Sequence, residues 1–414
     1  MVLQSDFSKL LERIRTADRA GRSALAGVIQ DFHGRRLRRK DVLRALSLAP
    51  LMEEEADDSK DPAANLIWAM YDSLSPKDIP LLRDIYPRLS RHARSRVLSR
   101  LAELGDEASL KAFLTFLRFD PGRSELEDFP VHDFEGNPGA AVILYPAVFD
   151  FLDSPKLQHG AFLVALRFLE DGSLPPGRLK EREPQILDVA NDLLKSVGPL
   201  QRSEGMSWMW QEPYRNLRSF LGVTLDLLGS LNATSATSLF EKGLSLADPK
   251  LKLFCVTGLL RQGASPPERT VFQVAAAPET RLWLHRNLSA LNRLELFPER
   301  FSSQEAFAES EMVEWLSFPT ELDSAPDEIE LTGMVSRQRE TDCFDYYVFR
   351  FRVSEPHWAA DDGWMAGMAG PYRRSPRPSP EGLGATFSKF KKWDEKTNEE
   401  HVSDLLDVKA LPLS

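Results

Sequence analysis

Cysteine and long apolar runs are both scarce in this chain of 414 residues. The two cysteines, Cys255 and Cys343, are too few for the disulfide framework of a small secreted domain. No stretch approaches the roughly 20 apolar residues that a membrane span needs. The first 20 residues carry Asp6, Glu12 and Asp18, which interrupt the apolar core that a secretory signal requires. The sequence therefore predicts a cytoplasmic protein without a membrane span.

Basic charge is in deficit as well. The chain has 62 Asp and Glu against 52 Lys and Arg, which gives a formal net charge of −10. This balance disfavours a protein whose whole surface coats nucleic acid or an anionic membrane. Hydrophobic residues make up 42% of the chain, which is sufficient for folded cores. The length is compatible with two or three domains, or with one long repeat array.

Catalytic and metal-binding motifs are also missing. The sequence has no G-x-S-x-G motif, no P-loop and no dinucleotide fingerprint, and its seven histidines are scattered. Cys255 falls within an apolar helical stripe, a position typical of a buried structural cysteine. His357 and Asp361 have the spacing of a helical ligand pair, with Asp362 beside them, yet the further ligands of a metal site are not evident. The sequence predicts no catalytic residue, no metal and no cofactor.

Helical periodicity dominates residues 3–317. Short apolar stripes at helical spacing alternate with turns rich in Pro, Gly or acidic residues. The clearest example is 90–118, where Gly105 ends one predicted helix and Asp106 begins the next, antiparallel one. About a dozen helices with such short connections favour a linear stack over a single bundle.

Two segments resemble HEAT repeats. Residues 248–263 read Asp-Pro-Lys-Leu-Lys-Leu-Phe-Cys-Val-Thr-Gly-Leu-Leu-Arg-Gln-Gly and resemble the second-helix segment of these repeats, in which Asp-Pro opens a helix that Gly closes. Residues 90–117 resemble the shorter, bilin-lyase-type variant, especially Leu-Ala-Glu-Leu-Gly-Asp-Glu-Ala-Ser-Leu-Lys-Ala-Phe-Leu at 101–114. The resemblance implies a mainly α fold, an α-solenoid of HEAT-like antiparallel helix pairs whose surface binds a partner, and it implies no catalysis.

The pattern changes after residue 318. Residues 329–335 and 344–353 alternate as strands do, and the second strand has apolar residues on both faces, so we expect it to be covered on both sides. The polar segment 336–343 is expected to be the hairpin loop between them. We expect turns at 358–372, a proline-rich arm at 373–384, and a capping box of Thr397 and Glu400 before a short terminal helix. These features predict a solenoid domain at 1–320 and a small α+β module at 321–414.

Basic residues are concentrated in two segments. Residues 12–44 contain ten Lys and Arg against four Asp and Glu. In the helix predicted after residue 90, Arg96 and Arg100 share the face opposite the apolar stripe, so we expect them to project outward together. An ordinary solvated helix face has the same pattern. The basic candidates for partner binding are Arg35, Arg36, Arg38, Arg39, Arg96 and Arg100.

Aromatic residues supply the other candidates. Large aromatic side chains in connecting segments either fill a groove or form a patch for a partner. Trp68, Trp283 and Trp315 fall on helical stripes instead and are expected in the core. The aromatic candidates for partner binding are Trp208, Trp210, Trp358, Trp364 and Tyr372.

These patterns favour a non-catalytic scaffold protein that holds another protein, one form of which is a toxin-neutralising immunity protein. A HEAT-like nucleic-acid-binding or DNA-repair enzyme is the alternative, and it predicts that Arg96, Arg100 and the 35–40 cluster line one concave face. A bilin lyase or chaperone is a second alternative, which the shorter repeat variant implies. The sequence specifies neither the partner nor the oligomeric state.

Overall fold

The computed structural model is mainly α-helical, with a small antiparallel sheet towards the C-terminal end. Contacts divide the chain into two compact units, Met1–Pro184 and Gln185–Ser414. The expected domain boundary at residue 320 stays a prediction. None of the described helices combines the length and apolar character needed to cross a membrane. The structure describes residues 4–126, 129–134, 136–202, 207–339, 342–353, 363–374, 379–380, 382–384, 386–394 and 396–407.

The first unit consists of helices joined by short connections, several of which contain a 3₁₀ turn. Every second helix along the chain packs against the next of its own series: α2, α4, α6, α8 and α10 form one series, and α1, α3, α5, α7 and α9 form the other. The described α-helices of this unit are α1 Gln4–Thr16, α2 Arg19–Gln30, α3 Arg39–Leu48, α4 Pro62–Ala69, α5 Ile79–Ile85, α6 Arg91–Leu104, α7 Glu107–Arg118, α8 Val131–Phe134, α9 Pro138–Leu144 and α10 Pro155–Glu170.

The predicted helix pair at 90–118 is confirmed by α6 and α7. The side chain of Ser90 caps α6 by accepting the backbone N–H of Ala93. Gly105 then takes the left-handed conformation at φ 65°, which a glycine adopts without strain. Asp106 caps α7 by accepting two backbone N–H groups. Local residue types therefore set where α6 begins and ends and where α7 begins.

The second unit begins within the first turn of α11. In this unit α12 packs against α14 and α14 against α16, while α13 and α15 contact α14, and α17 packs against α16. Asp248 caps α14 and Pro249 occupies its first turn, as predicted. Cys255 is fully buried, also as predicted. The helices are α11 Glu183–Val197, α12 Tyr214–Ser230, α13 Thr237–Gly243, α14 Pro249–Arg261, α15 Glu268–Ala276, α16 Pro278–Ala290, α17 Gln304–Leu316 and α18 Asn398–Asp407.

Four antiparallel strands form one sheet in the order β1-β2-β3-β4, with bounds β1 Glu328–Arg339, β2 Asp342–Arg352, β3 Met365–Arg373 and β4 Phe387–Lys392. The expected cover on both faces of β2 is confirmed. Tyr347, Phe349 and Phe351 pack with Met312 of α17 on one face. On the other face, Tyr346 and Val348 pack with Val402 of α18.

Two sequence predictions in this region are wrong. The expected loop at 336–343 is much shorter, because β1 continues to Arg339 and β2 starts at Asp342. Residues 365–372, expected as turns, belong to the buried strand β3. At Gly367 α17 approaches closely, because a Cβ there would lie 2.6 Å from the Cε of Met312.

The short strand β4 has no counterpart in the sequence predictions. The capping box before α18 is confirmed, since the backbone N–H of Thr397 donates to Glu400 and the N–H of Glu400 donates to the Thr397 hydroxyl.

Candidate binding site

The second unit contains a cavity of about 170 Å³ between four of its elements. We call it the tryptophan pocket, after Trp210 and Trp283. Trp210 precedes α12, the first turns of α14 and α16 supply charged residues, and the end of α17 closes the remaining side. The lining residues are Trp210, Lys250, Leu253, Glu279, Trp283, Glu314, Ser317 and Phe318.

A buried ionic network adjoins the pocket and is centred on Arg218 of α12. The guanidinium donates to both carboxylate oxygens of Asp248, at 2.6 and 3.2 Å, and to both of Glu279, at 3.0 and 3.1 Å. Tyr214 also donates its hydroxyl to Asp248, at 2.9 Å. The side chains of Arg218, Asp248 and Glu279 are at most 7% exposed. The network therefore holds α12, α14 and α16 together by charge-assisted hydrogen bonds.

Burial and charge act in opposite directions on this network. Burial alone lowers the pKa of Arg218, but the facing carboxylates of Glu279 and Asp248 raise it above its ordinary value. The pKa of Tyr214 is raised well above its usual range, first by burial and then by the charge of Asp248. The guanidinium therefore stays charged and the phenol stays protonated at neutral pH.

Both tryptophan rings of the pocket carry a cation of this chain. The guanidinium of Arg218 lies 4.9 Å from the ring centroid of Trp210, and the ammonium of Lys250 lies 5.4 Å from that of Trp283. These are cation–π distances. The indole N–H of Trp283 donates to Glu314 at 2.9 Å, which fixes the orientation of the ring.

Lys250 differs from the other charged residues of the pocket. Its ammonium forms no hydrogen bond or ion pair with any residue that the structure describes. Burial is the main cause that lowers its pKa, and the charge of Arg218 lowers it further. Glu279, Asp248 and Glu314 act in the opposite direction. The pocket therefore has a cation on its wall that lacks an acceptor within the described part of the chain.

The structure separates the aromatic candidates. Trp210 lines the pocket, whereas Trp208 is 4% exposed and packs edge-on against Tyr214. Trp208 therefore fills the core and forms no surface patch. Trp364 is half-buried, with the guanidinium groups of Arg350 and Arg352 at 4.5 and 5.0 Å from its ring centroid.

Tyr372 is not available to a partner. Its side chain is fully buried and its hydroxyl donates to Glu311 at 2.6 Å. The sequence suggested an exposed aromatic group because residues 365–372 were expected as turns, whereas β3 directs this ring into the core. Trp358 lies outside the described residues.

Arg96 and Arg100 do not project outward as expected. The side chains are 18% and 12% exposed, and their guanidinium groups lie 5.2 and 5.1 Å from the rings of Trp68 and Tyr71. Arg96 donates to Asp58, and Arg100 to Glu103. Guanidinium groups interact favourably with aromatic rings, so both side chains lie against the rings and not in solvent. The prediction failed because the rings come from another part of the chain, Trp68 from α4 and Tyr71 from the 3₁₀ turn that follows it.

The cluster at 35–40 is also engaged within the chain. Arg38 donates to Asp41 at 2.8 Å, and Arg39 is paired with Asp78. The guanidinium of Arg35 lies 5.3 Å from the ring centroid of Phe32, and Arg36 is exposed. The local excess of basic charge is therefore partly neutralised by carboxylates, Asp41 within the segment and Asp78 outside it.

Sequence reasoning missed Trp283 and Lys250. Trp283 was expected in the core, yet it is 36% exposed at the pocket. The available signal was its position: Leu284 and Leu288, four residues apart, share a buried face of α16, and Trp283 lies about 100° from Leu284 around the helix. Lys250 had no comparable signal, because its surroundings come from three other elements.

A larger cavity, of about 450 Å³, lies in the first unit between α8 and α10. Its lining combines apolar residues such as Phe134, Val164 and Phe168 with the charged residues Arg167, Glu170 and Asp171. None of the residues predicted to bind a partner lines this cavity, whereas Trp210 lines the tryptophan pocket.

Comparison with protein families, with curated proteins and with solved structures found no match for this chain. Within the described residues, no group of three or more His, Cys, Asp or Glu side chains is placed to hold a metal ion. The sequence pair His357 and Asp361, with Asp362, lies outside the described residues. The function must therefore be argued from the site itself.

Proposed function

We propose that this protein is a non-catalytic scaffold that holds a protein partner, with the tryptophan pocket as an anchoring site. The observation that carries the proposal is the grouping of Trp210, Trp283 and Phe318 around one cavity, with charged residues at its wall. Tryptophan and arginine dominate the binding energy of protein interfaces when they line packed pockets. Phe318 is 52% exposed and Trp283 is 36% exposed, so the pocket presents apolar surface at its mouth.

We further propose that the helices of each unit stack as HEAT-like pairs. The support comes from the packing order, in which a helix contacts the helix two positions along the chain as well as its immediate neighbour. Stacked repeats contact only their neighbours in this manner, and they create extended binding surfaces. The sequence resemblance at 90–117 and 248–263 agrees with this arrangement.

The charges of the protein support a protein partner over nucleic acid. The net charge is −10, and Arg38, Arg39 and Arg96 each pair with a carboxylate of the same chain. Pairing removes the unneutralised positive charge that a phosphate backbone requires. In the pocket, Glu279 and Glu314 are both engaged by donors, which supports binding over acid–base catalysis. An immunity role and a bilin lyase or chaperone role stay predictions that depend on the partner.

Affinity capture with the full-length protein tests this proposal. The wild type is expected to retain a reproducible protein from its native lysate, and Trp283→Ala to weaken that retention by about 30-fold or more, equivalent to about 2 kcal/mol. Phe119→Ala is the matched control, because Phe119 is a 71% exposed aromatic residue in the other unit. Equal retention by the wild type and by Trp283→Ala, or recovery of nucleic acid alone, would contradict the proposal.

A further inference from the structure

We propose that the tryptophan pocket binds the C-terminal residue of a partner chain, with its carboxylate on the ammonium of Lys250 and its apolar side chain against the aromatic walls. This inference rests on the function proposed above and specifies which group of the partner enters the site. Three features of the pocket support it. Within the part of the chain that the structure describes, the ammonium of Lys250 lacks a hydrogen-bond acceptor, the rings of Trp210 and Trp283 already carry cations, and the cavity has the volume of one side chain.

The first argument is the balance of donors and acceptors. Glu279 accepts two hydrogen bonds from Arg218, and Glu314 accepts one from Trp283 and lies 3.5 Å from a guanidinium nitrogen of Arg286. Each carboxylate at the pocket therefore already has a donor. Lys250 is the charged lining residue that lacks an acceptor among the described residues. A ligand that contributes a hydrogen-bond acceptor would complete this set, and a carboxylate would form a charge-assisted bond with the ammonium.

The second argument excludes a cationic ligand. Aromatic cages for ammonium groups need free ring faces. Here Arg218 already lies over Trp210, and Lys250 already lies over Trp283. A ligand cation would meet like charge at both rings, whereas a carboxylate would meet an ammonium that is held in place by the ring beneath it.

The third argument is size and composition. A volume of about 170 Å³ accommodates one side chain and is too small for a helix or a nucleotide. Leu253 and Phe318 provide apolar walls beside the ammonium, and the two tryptophan side chains also line the cavity. A C-terminal residue carries a carboxylate and an apolar side chain on the same carbon atom, so it satisfies both features at once. An internal Asp or Glu has the carboxylate but no apolar group next to it.

Fluorescence anisotropy with the full-length protein and labelled peptides tests the inference. The probe is fluorescein-Gly-Gly-Ser-Leu with a free C-terminal carboxylate, and its matched control is the same peptide with a C-terminal amide. We expect the acid to bind at least tenfold more tightly than the amide. Lys250→Met should remove this preference, whereas Lys252→Met should retain it, because Lys252 on the same helix already donates to Gln273.

The pH dependence provides a second readout. The carboxylate should bind less tightly as the pH rises and Lys250 loses its proton, while the amide should show no such change. The charged groups around the ammonium are Arg218 on α12, Asp248 at the start of α14, Glu279 on α16 and Glu314 on α17. Lys250→Met should abolish the pH dependence, and the thermal midpoint of the variant shows whether it is folded.

The remaining measurements test whether a different ligand binds in the tryptophan pocket. Three outcomes would each overturn the inference. The acid and the amide could bind equally, or an amidated peptide with an internal Glu could bind as tightly as the acid. The third is that 4-methylvalerate displaces the probe with the same affinity as the peptide. Lysate capture separates the two proposals. If Trp283→Ala loses the captured protein while acid and amide peptides bind alike, the scaffold proposal is retained and the assignment of a C-terminus is wrong.

Discussion

At the scale of single residues, Lys250 is held in an environment that disfavours its charge. Burial lowers the pKa of its ammonium, and among the described residues no hydrogen bond compensates for the lost solvation. A partly buried ammonium that forms no hydrogen bond costs folding free energy, so an apolar residue of similar length would suit the folded state better. This is the pattern expected of a residue that serves binding at the expense of stability.

Lys250→Met is therefore expected to stabilise the protein at pH 7, by about 1 kcal/mol. The pKa of Lys250 is lowered on folding, so the unfolded chain binds more protons here between the folded pKa and the ordinary value of 10.5. Wild-type stability should rise with pH through that window, and Lys250→Met should lose this contribution. Urea denaturation at several pH values measures both effects. A destabilised variant at pH 7 would show that the ammonium is well solvated or paired.

Arg218 presents the opposite case, because its charge is fully compensated by Asp248 and Glu279. Arg218→Met would leave both carboxylates buried without their cation, so we expect a loss of about 3–5 kcal/mol in the free energy of unfolding. Urea denaturation measures it. Lys195→Ala is the control, since its pair with Asp192 is at the surface, and it should leave the urea midpoint unchanged. A similar small effect for both variants would contradict the role given to the network.

The sequence could indicate only part of this site. Trp210 was identified because an aromatic residue in a connecting segment is unusual. Its role beside Arg218 could not be derived, because the carboxylates that bind Arg218 lie 30 and 61 residues away in the sequence. Arg96 shows the same limit: the helical pattern places it on a polar face, and Asp58, 38 residues away, neutralises it. Local periodicity shows which side chains share a helix face, but not which residues from other elements pack against that face.

At the scale of elements, helix ends were predictable wherever local chemistry sets them. Ser90, Gly105 and Asp106 define the pair α6 and α7 through caps that involve residues at most three positions away. β3 was not predictable, because glycine is typical of turns and alanine is depleted in strands. At Gly367 a side chain is excluded by the close approach of Met312, a residue from another element. Predictions therefore hold where an element is self-sufficient and fail where packing selects the residues.

Gly105→Ala tests the turn between α6 and α7. Gly105 has φ 65°, and a Cβ there would collide with the Nδ2 of Asn137, which donates to the Gly105 carbonyl. We expect a loss of about 1–2 kcal/mol in stability from strain and from the displaced hydrogen bond. Gly177→Ala is the control, since its Cβ would meet no atom within 4 Å, and it should leave stability unchanged or slightly raised. Thermal denaturation compares the two, and equal midpoints would exclude a strained turn.

At the scale of the whole molecule, the charge of the chain bears on how a protein partner and a nucleic acid would differ in their response to salt. The chain carries −10 overall, and much of its clustered basic charge is paired internally. Binding to nucleic acid through several phosphates weakens by about 10³–10⁵ between 50 and 200 mM salt. The anchoring proposed for the tryptophan pocket would depend mainly on apolar contact and one short-range charge interaction, which salt screens far less.

We therefore expect the captured partner to bind with nearly the same affinity at 50 and 200 mM salt. The dissociation constant should change by about threefold or less. Arg36→Glu should leave this affinity unchanged, because Arg36 is exposed in the basic cluster and distant in sequence from every residue of the pocket. Anisotropy or surface binding measurements at the two salt concentrations provide the comparison. A steep loss with salt, together with a weakened Arg36→Glu variant, would instead assign binding to the basic segment, because only contacts that release many counterions respond in that way.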